Sequence, residues 1–132
     1  MVSVTEQHPV ELIMARGLVS NLTTAAFLVD AEGVLVFFNE RAGELLGVHY
    51  EEAGPMAPEE WGGRFEPTNL DGEPMPVEEL PLAIALQGKP AHAPMRIRSH
   101  QGDLCDIDVT AFPLEGHAGQ SGALSIFWER SS

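Results

Sequence analysis

Four side chains in this sequence have types suited to nucleophilic chemistry and lie close together along the chain: His92, His100, Cys105 and Asp106. A thiol, an imidazole to take its proton and a carboxylate to orient the imidazole would form such a site. The spacing argues against it. Cys105 and Asp106 are adjacent in a stretch that alternates as a strand, so their side chains leave on opposite faces. No Ser-His-Asp order, phosphate-cradling glycine loop or metal-spaced histidine pair is present. The single cysteine excludes an internal disulfide framework and a cysteine-based zinc cluster, and it fits the reducing cytoplasm. Cys105 reads most simply as a small buried apolar residue. The expectation is a protein that is not an enzyme and has no metal site.

The composition narrows the partners. The chain has 132 residues, a net charge of −13, one lysine (Lys89) and six arginines. Such a surface repels phosphate backbones and anionic lipid heads, so no nucleic-acid partner is expected. Its 44% hydrophobic content suffices for one domain with a real core. No apolar run approaches the length of a membrane span, and Met1 to Val10 carries no secretory signal. Membrane insertion is therefore not expected, and the expected compartment is the cytoplasm.

The elements that must position any site begin with a hairpin. Ala26 to Val29 is a short apolar run, Asp30 to Gly33 has turn chemistry, and Val34 to Phe38 is β-branched and aromatic. Asn39 suits a helix N-cap, Ala42, Leu45 and Leu46 follow at helical spacing, and Gly47 stops that helix. Pro9 to Ser20 reads as an amphipathic helix with Val10, Ile13, Met14, Gly17 and Leu18 in one stripe. Gly54 to Pro76 is rich in proline, glycine and acid, with Trp61 and Phe65 as its large apolar anchors. Val77 to Gln87 reads as a long helix with Leu80, Ala83, Ile84 and Gln87 on one face. Three alternating strands follow: Ala93 to Ser99, Leu104 to Leu114 and Gly122 to Glu129, with a glycine-rich loop over Glu115 to Ser121.

The ordered set Asp30, Gly33, Leu35, Asn39, Ala42, Leu45 and Gly47 resembles the opening of a PAS domain, and the likeness can be followed from about Asn21 to Arg130. The resemblance implies an α+β fold. Its sheet would have five antiparallel strands in the order 2-1-5-4-3, with helices over one face and an N-terminal amphipathic helix. It divides the chain into an N-terminal helical extension (1–20), a PAS domain (21–130) and a tail leading to an effector (131–132). The flavin-binding branch of the family needs a cysteine in the short helices, and Gly54 to Phe65 has none. The haem-binding branch needs a histidine on the long helix, and Val77 to Gln87 has none. No such cofactor is expected.

The alternation places Phe27, Val29, Leu35, Phe37, Met95, Ile97, Ile107, Val109, Ala111, Ala123 and Phe127 on the inner face. Ser125 and Ile84 join them, and Trp61 stands at the mouth. These residues either fill a core or line a cavity for an apolar ligand such as a fatty acid. A chain of about 14 methylenes would gain roughly 11 kcal/mol gross on burial. The outer sheet face would carry Leu28, Val36, Phe38, Leu124, Ile126 and Trp128. With Val10, Ile13 and Met14 of the first helix, that face suggests a homodimer interface; the helix could equally cover its own sheet. The resemblance further implies an effector in the parent chain, of kinase, phosphatase or anti-sigma-factor type, fed by a sensory module. The alternative is a ligand-free dimerisation module. In the hairpin of Ala93 to Ser99 with Leu104 to Leu114, Arg96 should lie opposite Asp106.

Overall fold

A computed structural model describes residues 10–99, 101–116 and 119–130. Pro9 and the rest of 1–9, His100, part of the expected 115–121 loop and the tail 131–132 lie outside the described residues. Helix α1 (Val10–Ser20) precedes the hairpin of β1 (Ala25–Asp30) and β2 (Leu35–Phe38). Short helices α2 (Glu40–Leu46), α3 (Tyr50–Ala53), α4 (Pro58–Arg64) and α5 (Pro81–Ala85) come next. Strands β3 (Ala91–Arg98), β4 (Leu104–Gly116) and β5 (Gly119–Glu129) complete an antiparallel sheet in the order β2-β1-β5-β4-β3.

Local chemistry sets the first elements. The Asp30 carboxylate accepts the backbone N–H groups of Glu32 and Val34, both at 3.0 Å, and Gly33 takes the positive φ that the turn needs. The Asn39 carboxamide oxygen caps α2 by accepting from the Ala42 N–H at 3.0 Å. That oxygen also accepts from Ala26 N–H, while Nδ2 donates to the carbonyls of Val19 and Thr24. One buried side chain thus joins α1, β1 and α2.

Three expectations need correction. First, Phe37 and Phe38 exchange faces. Phe27 pairs with Phe38 and Leu28 with Phe37, but Val29 pairs with Leu35, leaving Val36 as the extra residue of a β-bulge. Past the bulge the alternation slips by one. Phe37 then packs with the outer cluster, and Phe38 is buried in the inner one. Second, the long helix over Val77 to Gln87 is replaced by a single 3₁₀ turn (Val77–Glu79) and the five-residue α5. Pro81 sits in the first turn of α5, where its missing N–H costs nothing, so the regular helix starts there. Leu82 and Ala85 face the sheet, and Ile84 belongs to neither apolar cluster. Third, α1 docks with Leu12, Ala15 and Val19 rather than the stripe through Val10 and Leu18. Both stripes are apolar, and the sheet takes the one that meets Ala26, Leu28 and Leu124. Val10, Ile13, Met14 and Leu18 remain exposed, Met14 by 69%. Leu28 and Leu124 are accordingly sealed beneath α1, and Phe38 faces the interior, so these three residues are closed to a partner.

The strands also outrun the expected loop: β4 continues to Gly116, and β5 resumes at Gly119. Arg96 does stand opposite Asp106, with two hydrogen bonds of 2.6 and 3.2 Å between the side chains. Both edges of the sheet are clipped by one connecting segment. Met56 exchanges backbone hydrogen bonds with Leu35 on β2 (2.7 and 3.1 Å), and Thr68 does so with Arg96 on β3 (2.8 Å each). Between those clips, the segment crosses the inner face and carries α4 with it.

Candidate functional site

The inner face of the sheet and helices α4 and α5 border a partly open apolar cavity of about 70 Å³. Phe27 reaches it from β1, Met95 and Ile97 from β3, Ile107 and Val109 from β4, and Ser125 and Phe127 from β5. The helical side supplies Leu46, Trp61, Phe65, Pro67, Leu80, Pro81 and Leu82. Phe27 organises the ring packing, with its centroid 5.3 Å from Phe127, 5.6 Å from Phe38 and 6.5 Å from Phe65. Trp61 presents its indole to the cavity while Nε1 donates to the Gly33 carbonyl at 2.7 Å. That bond ties α4 to the β1–β2 turn.

The other inward residues named from the sequence sit elsewhere. Val29, Leu35, Ala111 and Ala123 are fully packed in the inner core and do not reach the cavity. Phe37 lies on the outer side of the sheet, and Ile84 lies off both clusters. Conversely, Leu46, Pro67, Leu80, Pro81 and Leu82 line the cavity without having been singled out for it. Proline at the start of α5 was the available signal: a helix beginning at Pro81 turns Leu82 towards the sheet.

The cavity lining carries no charged side chain and no histidine. Its two polar side chains are Ser125 and the already bonded Trp61 indole. A flavin would leave most of its donors and acceptors unpaired here, and haem would find no imidazole ligand, so the residues present fit neither group. No group of three or more metal-ligating side chains exists among the described residues. The Cys–His pairing that the spacing argued against also lacks geometry between His92 and Cys105. His92 lies opposite Thr110 and beside the Trp128 ring on the outer face, whereas Cys105 lies opposite Ile97 and borders the inner cluster. Burial, with Glu129 and Asp106 nearby, pushes the Cys105 thiol above its ordinary pKa, which disfavours the thiolate.

Solved structures share this arrangement. The PAS domain of Bordetella pertussis BvgS is 12% identical with a TM-score of 0.61, over 92% of this chain and 87% of that one. The PAS domain of nitrogen regulation protein NR(II) from Vibrio parahaemolyticus is 15% identical with a TM-score of 0.60, over 89% and 98%. A Rhodobacter sphaeroides LOV protein is 17% identical with a TM-score of 0.69, over 92% of this chain and 68% of that one. This is the PAS fold. No family model matches the chain, and no curated protein does. The PAS sheet order, with β5 between the two hairpins, gives the cavity a wall that is also the floor under α1. Ser125 and Phe127 face the cavity from β5, while Leu124 of the same strand packs on Leu12 and Val19 of α1. No helix among the described residues is long and apolar enough to cross a membrane.

Proposed function

We propose that this chain is a non-catalytic sensory module of a cytoplasmic signalling regulator. It binds a compact apolar ligand between sheet and helices and relays its state to an attached effector. The apolar cavity behind β5 carries this reading. A ligand that shifts Ser125 or Phe127 shifts the strand on whose other face α1 rests. Effectors of kinase, phosphatase or anti-sigma-factor type suit the reading, since solved PAS structures include one from a two-component sensor histidine kinase. The volume narrows the ligand. An engineered apolar cavity of roughly 150 Å³ holds benzene, and this one has about 70 Å³. A fatty acid of about 14 carbons would fit only if α4 and α5 moved away from the sheet.

Native mass spectrometry of the purified domain, before and after organic extraction, tests the reading. The expected result is a small neutral mass increment that extraction removes and whose return raises Tm. A protein that carries no increment, and whose Tm responds to no small apolar compound, would leave only a filled-core dimerisation module.

A homodimer accompanies this proposal. The exposed stripe of Val10, Ile13, Met14 and Leu18 on α1 favours it, as does Trp128 with 42% of its surface exposed and the half-buried Ile126. Ile13→Glu with Met14→Lys should convert a sedimenting dimer to a monomer. A native domain that already sediments as a monomer at high concentration rules the dimer out.

A further inference from the structure

Ser125 stands on the inner face of β5, between Phe27 on β1 and Ala111 on β4. It is only 3% exposed, and it lines the cavity. No sealed side-chain nitrogen or oxygen among the described residues lacks a hydrogen-bond partner. Ser125 Oγ nevertheless makes no hydrogen bond to any described residue, so its oxygen opens into the cavity rather than into packed protein. The Trp61 indole N–H is committed to Gly33. The hydroxyl of Ser125 is therefore the one uncommitted polar side-chain group on an otherwise apolar wall.

A hydroxyl that opens onto an otherwise apolar wall gains from a partner placed against it. Water is only weakly held here, because the wall offers it one free side chain. A charged ligand is worse, because no lining side chain neutralises it. We propose that the cavity selects a compact, uncharged ligand with an apolar body and a single hydrogen-bonding head, such as a short branched alcohol or a ketone. Ser125 Oγ is the partner of that head, and the Met95, Ile97, Ile107 and Val109 side chains hold the body. This rests on the cavity being a ligand site, as proposed above.

Acetone and isobutene have the same shape and differ in one oxygen, which makes them suitable probes. Ligands of about four heavy atoms reach roughly tens of micromolar at best, so the titration follows methyl NMR signals of Met95, Ile97 and Ile107 with each probe in the millimolar range. Both probes should perturb these methyls in the native domain. Ser125→Ala should weaken acetone about three- to tenfold, the worth of one hydrogen bond, and leave isobutene unchanged or slightly tighter. The unliganded methyl spectrum of the variant reports that its fold is intact. If Ser125→Ala changes both probes alike, the assignment of Ser125 is wrong while the cavity stands as a ligand site. If neither probe moves the native methyls, the ligand reading itself falls and this inference with it.

Discussion

On the inner face of the sheet, Phe27, Phe38, Phe65 and Phe127 pack ring against ring beneath four short helices. On the outer face a single helix covers Ala26, Leu28 and Leu124 with Leu12 and Val19. The inner cluster draws on every strand and on α2, α4 and α5, and it contains the cavity. The outer cluster is small, and α1 is held on it by Leu12, Ala15 and Val19 and by the hydrogen bond from Asn39 to the Val19 carbonyl. The larger share of the apolar packing thus lies on the face that would hold the ligand, and the smaller share on the face that would report it.

Truncation separates the two faces most sharply. Phe38→Ala removes a ring that is 1% exposed and should cost about 3–5 kcal/mol in urea unfolding. Leu12→Ala removes an equally buried side chain but should cost only about 2 kcal/mol, the low end for this substitution, because α1 can resettle on a shallow surface. Equal losses would contradict the comparison. The smallest effect belongs to the solvent-facing pair Arg96–Asp106. The hydrogen bonds from Arg96 hold the Asp106 carboxyl below its ordinary pKa, so its contribution is present above the unfolded value of about 3.9 and is lost as pH falls through the folded value. The native domain should exceed Asp106→Asn in stability at neutral pH, with the gap closing as acid protonates the folded carboxylate. A gap that persists in acid would show that the carboxamide fails for a reason other than charge.

Legibility in the sequence followed the range of the forces involved. Asp30, Gly33, Asn39 and Gly47 act within a few residues of themselves, and the turn and α2 stand where they place them. The inward sides of β3, β4 and β5 were equally readable, because their alternation runs without interruption from Met95 to Ile97 and from Ile107 to Ala111. The bulge at Val36 was not readable. It arises where β2 must satisfy β1 on one edge and Met56 on the other, and that constraint involves residues far apart in sequence. The two stripes of α1 are both apolar, so only the shape of the sheet decides between them. The cavity was hidden for another reason. Val29 and Val109 are the same residue type on the same face, yet one is packed solid and the other borders a void. Residue type does not encode that difference. Added bulk at Val109, as in Val109→Phe, should therefore fill the cavity and abolish ligand binding, whereas Ala123 has no void beside it.

The place of β5 also bears on synthesis at the ribosome. β1 pairs with β2, β3 with β4 and β4 with β5, each within a local hairpin, whereas Ala25 must wait for Phe127. At roughly 5–20 residues per second, several seconds separate the emergence of the first hairpin from that of its central partner. Throughout that interval the long edge of β1 presents unpaired backbone groups and an apolar surface. A β5 from a neighbouring nascent chain meets the same register as the chain's own. Crowded translation of this domain therefore favours strand-exchanged pairs, a hazard set by the order in which the strands are made and absent from the finished sheet.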